Sequence, residues 1–254
     1  SGFTSFMSDC VKHIITFRDE EKDKIVVHEL IHFFYLDFHS LNCDLSKIVN
    51  VKPTLEFIPN ESYTELMTII FHTALISIES HGDLRIASII LQTELFFGYF
   101  QCAKLLFHYG YKHVDDFFTP YNGTTEAFYQ NSCVISYYFI KTALLSRFDL
   151  TTEFLKDKMN NYKIDCADHT KESYKTLFIR CLNDPIFKQN IQKYLRYINI
   201  SVLTDDASDR NNISNNTKKQ QKTLSKKTSK KRRFFKRFKH SSLFKTLRMS
   251  IVEL

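Results

Sequence analysis

The chain has 254 residues, 43% of them hydrophobic and 15% aromatic, which is enough for a packed core. Its net charge of +7 is unevenly distributed: residues 218–254 hold 14 of the 35 basic and one of the 28 acidic residues. That leaves 21 basic and 27 acidic residues in 1–217. The pattern predicts a mildly acidic globule with a strongly basic tail, and it excludes a uniformly basic protein.

The cysteines are scattered, without a CxxC pair, which in a chain of this length is typical of free thiols in a reducing compartment. The first 20 residues lack the basic segment and apolar run of a signal peptide. The apolar stretch 66–107 contains a charge or a histidine in every 18-residue window, so no transmembrane span is predicted. We therefore expect an intracellular protein, in the cytoplasm or the nucleus, that is not secreted.

In chain order, "VKHIITF" (11–17) alternates and is rich in β-branched residues, which predicts a strand. Residues 18–40 have an acidic start and a broad apolar face, which predicts a helix. A connection with two prolines spans 50–60. Further helices are predicted at about 61–80, 84–109, 124–147, 150–162 and 170–198. The fold class is thus mainly α, or α+β with a small N-terminal sheet.

Two regions follow from this pattern. A helical domain is predicted for 1–203, and a polar, disordered tail without core residues for 204–254.

The heptapeptide "VVHELIH" places His28 and His32 four residues apart in the predicted helix, with Glu29 beside the first. Positions i and i+4 share a helix face, so both imidazoles can reach one ion. Glu29 can take a proton from a water at the open position of that ion. This is the chemistry of the HExxH motif, and the uncharged flanks in "IVVHELIHFF" are typical of zinc peptidases.

A catalytic zinc site needs a third protein ligand. A metzincin would have a histidine six residues after the second motif histidine, but Phe38 is at that position and His39 is one residue off. The glycine position of that family is occupied by Tyr35, so the metzincin interpretation is rejected.

The stretch "PNESYTELMTII" (59–70) resembles the Asn-Glu-x-x-x-Glu sequence on the second zinc helix of gluzincins. This resemblance covers residues 25–70. It implies a zincin-like domain in which Zn²⁺ is bound by His28, His32 and Glu61, with Glu29 as the general base.

Glu65 lies one turn after Glu61 and leaves alternatives open. It could be the metal ligand itself, or it could hydrogen-bond a ligating histidine from behind. An interpretation without metal is that residues 62–65 form a capping box, in which Glu65 is a cap and Glu61 precedes the helix.

Zincins usually add a tyrosine or histidine that stabilises the oxyanion of the tetrahedral intermediate. The candidates chosen here are Tyr137, His81 and Tyr109, although each alone is also typical of a structural side chain with a hydrogen-bonded tip. His72 is three turns past Glu61, roughly 16 Å along the helix, and is considered too far away.

The tail interleaves cations with phenylalanines, and 232–248 would be a basic amphipathic segment if helical. Such a segment suits an acidic membrane surface, nucleic acid or a nuclear import receptor, and the alternative is a solvated tail without a fixed partner. The basic residues singled out are Lys230, Lys231, Arg232, Arg233, Lys236, Arg237 and Lys239.

Two functions are compatible with these patterns. The first is a zinc-dependent peptidase that hydrolyses a protein or peptide substrate. The second is a non-enzymatic scaffold or packaging protein that binds nucleic acid or an acidic membrane through its tail.

Overall fold

The computed structural model describes residues 2–6, 12–16, 22–38, 40–123, 127–130, 132–161 and 163–216. Within these ranges the chain is mainly helical, as predicted. The predicted basic segment 232–248 and His39 lie outside the described residues. The elements are β1 (Gly2–Phe6), β2 (Lys12–Thr16), α1 (Lys22–Phe33), α2 (Asn60–Glu79), α3 (Leu84–His108), α4 (Val114–Phe117), a π-helix (Ile135–Ile140), α5 (Lys141–Ser146), α6 (Phe148–Lys158), β3 (Met159–Asn160), β4 (Lys163–Ile164), α7 (Asp168–Leu182) and α8 (Pro185–Asn216).

The N-terminal strands form a two-stranded antiparallel sheet. The strand predicted at 11–17 is confirmed as β2, and it pairs with β1 so that Gly2 faces Thr16 and Phe6 faces Lys12. Both strands contact α1. The small N-terminal sheet of the α+β alternative is therefore present beside the helices.

The first helix ends earlier than the predicted residue 40. Tyr35 adopts a left-handed conformation with φ 53°. Its N–H donates to the His32 carbonyl, and the Leu36 N–H donates to the Ile31 carbonyl, both at 3.0 Å. This pair of bonds is a Schellman motif, which terminates α1 at Phe33 and reverses the chain directly after the second motif histidine.

The helices α2 and α3 match their predicted ranges to within one residue at each end. They are joined by a tight turn in which His81 and Gly82 both have positive φ, 64° and 75°. The Asp83 carboxylate then accepts the Arg85 N–H at 2.8 Å and caps α3.

The single helix predicted over 170–198 is wrong, because two helices occupy this range. The break falls at Pro185, which cannot continue a helix but suits its first turn. Asp184 stabilises the new start, since its carboxylate accepts the N–H groups of Ile186 and Phe187 at 2.8 and 3.1 Å.

Two other predicted helices are only partly confirmed. In 124–147, residues 127–130 are not helical, because Phe128 forms a bridge to Val51, and the helical part comprises the π-helix and α5. In 150–162, α6 ends at Lys158 and is followed by the short β3–β4 hairpin.

The last helix does not stop at the domain boundary predicted at residue 203. It continues to Asn216, so the first residues of the predicted tail are helical. Residues 217–254 lie outside the described ranges.

Among the described helices, α3 is long and apolar enough to cross a bilayer by length and composition, although no span was predicted. In its most apolar window 39% of the residues are buried. The helix packs against α2 and α8.

All cysteines in the described ranges are free thiols, as predicted, namely Cys43, Cys102, Cys133, Cys166 and Cys181.

The first turns of α2 lie at the centre of the fold. This helix contacts α1, α3, the π-helix and α5, and every residue from Ser62 to Ile69 is buried. Polar groups on this part of α2 are therefore removed from water and must find partners on the neighbouring helices.

Gly98 permits close contact between α3 and α5. A Cβ atom there would lie 2.8 Å from Thr142 Cγ2 and closer still to its Oγ1. Such overpacking costs about 1–3 kcal/mol, partly offset by the helix propensity of alanine, about 1 kcal/mol. We expect Gly98→Ala to lower the free energy of unfolding by up to about 2 kcal/mol in urea titrations.

The same substitution in a Thr142→Ala background is the matched control. Removing the crowding methyl and hydroxyl should leave mainly the helix propensity of alanine, so Gly98→Ala should then be neutral or stabilising by up to about 1 kcal/mol. An equal loss in both backgrounds would contradict this account.

Candidate metal centre

The two motif histidines meet on the inner face of α1. Their Nε2 atoms are 3.2 Å apart, and the ring centroids are 5.0 Å apart in an edge-to-face arrangement. His28 is buried and His32 is half-buried. Two unprotonated nitrogens this close would repel each other, so the pair requires a proton or a cation between the rings.

Glu61 completes a triangle of donor atoms. It lies in the first turn of α2, where one carboxylate oxygen is 3.4 Å from His28 Nε2 and the other is 3.6 Å from His32 Nε2. One donor atom from each of the three residues lies within 4.8 Å of the others, so together they could hold a metal ion.

These distances can be compared with the geometry of a tetrahedral ion. Metal–ligand bonds of 2.0–2.2 Å at a tetrahedral angle put neighbouring donor atoms about 3.4 Å apart. The two imidazole nitrogens have this spacing at 3.2 Å, and they face the two different oxygens of the Glu61 carboxylate at 3.4 and 3.6 Å. Two imidazoles and one carboxylate are also one of the ligand sets of catalytic zinc sites, which keep the fourth position for water.

A buried carboxylate lies behind each imidazole, next to the ring nitrogen that faces away from the triangle. Glu65 Oε2 lies 3.2 Å from His28 Nδ1, and Asp37 Oδ2 lies 2.6 Å from His32 Nδ1. Asp37 also accepts the Thr64 hydroxyl at 3.1 Å, which ties α2 to the chain after α1. An acceptor behind Nδ1 fixes a proton there and turns the Nε2 lone pair of each ring toward the triangle.

The placement of Glu65 decides among the sequence alternatives. Its carboxylate is buried against Lys24 and His28, and Ser62 instead donates to the Pro59 carbonyl. The capping box is therefore wrong, and Glu61 belongs to the first turn of α2 rather than preceding it. Glu65 occupies the position behind a histidine.

The electrostatics of the triangle favour protons on the imidazoles when no metal is present. Burial alone would lower the pKa of His28, but hydrogen bonds and charges from Glu61 and Glu65 outweigh it and raise the pKa to about 9. At His32, burial again lowers the pKa, but hydrogen bonds and charges from Asp37 and Glu61 outweigh it and raise the pKa to about 10. The same imidazoles, against the effect of burial, hold the pKa of Glu61 well below its usual range.

Tyr137 reaches the centre from the π-helix. Its hydroxyl donates to Glu61 Oε2 at 2.8 Å, and its ring lies 6.1 Å from that of His28. Burial and the Glu61 charge raise the pKa of Tyr137, so the hydroxyl remains a donor. π-Helical turns are rare and are frequently found at functional sites.

Glu29 follows His28 in α1 and is 5% exposed. On an α-helix, residues at i, i+1 and i+4 fall within an arc of about 100°, so Glu29 shares the side of α1 that faces the triangle.

The structure does not bring the other two oxyanion candidates, His81 and Tyr109, to the centre. His81 is exposed in the turn after α2, and 18 helical residues put it about 27 Å from Glu61 along the axis. Tyr109 donates to the Tyr129 carbonyl, and its ring contacts those of Phe128 and His108, so its described side-chain contacts do not include the three donor residues.

Sequence reasoning missed three residues at this centre: Asp37, Lys24 and Lys141. Asp37 follows the motif by five residues in an otherwise apolar segment, and Lys24 is four residues before His28 on the same face. Both spacings could have been noticed, whereas Lys141 depends on tertiary packing alone.

Comparison of the chain with protein-family models, with curated proteins and with solved structures finds no match, so the proposals below are based on the geometry of the centre.

Proposed function

We propose that the protein is a zinc-dependent peptidase in which His28, His32 and Glu61 bind the metal. The observation that supports this most strongly is the convergence of the three residues: the two Nε2 atoms are 3.2 Å apart, and each faces a different oxygen of the Glu61 carboxylate at 3.4 and 3.6 Å. Two imidazoles and one carboxylate are a donor set suited to Zn²⁺. The carboxylates behind both rings add the support that ligating histidines usually have.

When bound, zinc would supply a Lewis acid that polarises the scissile carbonyl and makes a nearby water acidic. Glu29 would remove a proton from that water as it attacks the carbonyl carbon, and would deliver the proton to the leaving amine. Tyr137 would donate its hydroxyl to the carbonyl oxygen as negative charge develops there. It already lies beside a metal ligand with its proton retained.

Zinc content tests this proposal directly. We expect the purified full-length chain to contain one zinc ion, measured by inductively coupled plasma mass spectrometry. The variant His28→Ala should contain essentially none, because two ligands bind zinc far more weakly than three. The matched control His81→Ala, which removes an exposed histidine, should retain the metal. Wild-type protein that remains free of zinc after dialysis against the metal would favour the scaffold hypothesis instead.

A further inference from the structure

Glu65 is the most enclosed ionisable group in contact with the candidate centre, with a side-chain exposure of 0%. Its two oxygens face different partners. Oε2 faces His28 Nδ1, whereas Oε1 accepts a hydrogen bond from Lys24 Nζ and lies 3.7 Å from Lys141 Nζ. The carboxylate thus joins the metal centre to two lysines on two other helices, α1 and α5.

Both lysines are almost fully buried, with side-chain exposures of 4% for Lys24 and 1% for Lys141. Burying an ammonium group costs free energy that a single ion pair often fails to recover, and apolar replacements of buried pairs are often neutral or stabilising. One lysine would already balance the charge of Glu65, and Lys141 is also attracted by Glu94, which is buried on α3. Charge balance alone therefore does not give the reason why both lysines lie against Glu65.

The contacts between α2 and the π-helix–α5 segment suggest that reason. Glu61 and Glu65 are one turn apart on α2, and Tyr137 and Lys141 are four residues apart on the facing segment. Tyr137 contacts Glu61, and Lys141 contacts Glu65. The same segment thus restrains a metal ligand and the carboxylate behind another ligand.

We propose that Lys24 and Lys141 are positioning residues of the metal centre: they hold Glu65 Oε1 so that Oε2 orients the His28 ring for metal binding. This inference rests on the proposed function only for the presence of the metal. It does not depend on which reaction the loaded centre performs.

The test measures zinc affinity by chelator competition and the visible spectrum of the cobalt-substituted protein in Lys24→Met and Lys141→Met. The spectrum reports ligand geometry directly, and urea unfolding reports stability separately. We expect zinc affinity to fall about 10- to 100-fold in each variant, with a shifted cobalt spectrum. Lys24→Arg, which keeps the charge and a donor, should recover part of the affinity.

Lys104→Met is the matched control, because it removes a buried lysine on α3 that lies over the Phe100 ring. It should change stability but leave zinc affinity and the cobalt spectrum as in wild type. If a methionine variant does not fold, Lys24→Gln is measured in its place and judged by the same zinc affinity and cobalt spectrum.

The inference is overturned if the lysine variants change only stability while zinc affinity and the cobalt spectrum stay at wild-type values. Failure of the wild-type protein to bind zinc is a separate result, which would remove the proposed function itself.

Discussion

Replacing Glu29 with glutamine is expected to reduce peptide hydrolysis by about 10²- to 10⁴-fold, the usual contribution of a general base. The amide has nearly the same shape as the carboxylate but cannot accept a proton at neutral pH. Since Glu29 is not among the three donor residues, the variant should still contain one zinc ion per chain. The measurement is kcat/KM on a library of fluorogenic peptides, with zinc content determined on the same preparation.

Glu153→Gln is the control for this experiment, because Glu153 is exposed on α6. It should retain wild-type activity. A Glu29→Gln protein that holds zinc and cleaves peptide as fast as the wild type would show that another group takes the proton, and the assigned mechanism would fail.

Zinc affinity is expected to rise steeply with pH, at least about tenfold per pH unit between about pH 6.5 and 9, since one proton displaced per ion gives a slope of one. The pKa values of His28 and His32 are raised to about 9 and about 10, so the metal-free pair holds at least one proton near neutral pH. Zinc needs both Nε2 lone pairs and must displace that proton. Competition with a chelator of known proton affinity, repeated across this range, measures the slope.

The stability of the metal-free protein should change with pH in the opposite direction. A histidine whose folded-state pKa lies above its unfolded value stabilises the fold fully below about pH 6.5. That contribution is lost as the pH rises through about 9 to 10. Urea unfolding with chelator present should therefore show falling stability above neutral pH. His81→Gln should leave both profiles unchanged, and a zinc affinity independent of pH would contradict the assigned protonation.

The sequence predicted those residues of this centre that lie close together along the chain better than those that meet only through tertiary packing. His28, Glu29 and His32 follow from helix periodicity within one turn, and Glu61 from the resemblance of a second helix to a known pattern. Tyr137 was one of several aromatic and histidine candidates, and only the packing of the π-helix against α2 distinguishes it.

Sequence reasoning failed in two ways: tertiary contacts outweighed a local rule at Glu65, and a local helix-start signal at Asp184 and Pro185 was overlooked. Residues 62–65 match a capping box, yet Glu65 is drawn inward by Lys24 and His28. The helix predicted over 170–198 breaks because Pro185 and Asp184 together favour a new start. Lys141 was invisible in advance, since nothing in the sequence links it to a carboxylate 76 residues earlier.

The Schellman turn after α1 has a consequence for metal exchange. The turn reverses the chain at Tyr35 and so places Asp37 behind His32 and against Thr64. A single carboxylate therefore contacts both α1 and α2, the helices that bear the donor atoms. This contact joins α1 and α2 through protein groups alone. Loading and stripping should then be reversible events on one rigid frame, unlike the coupled folding of a zinc finger.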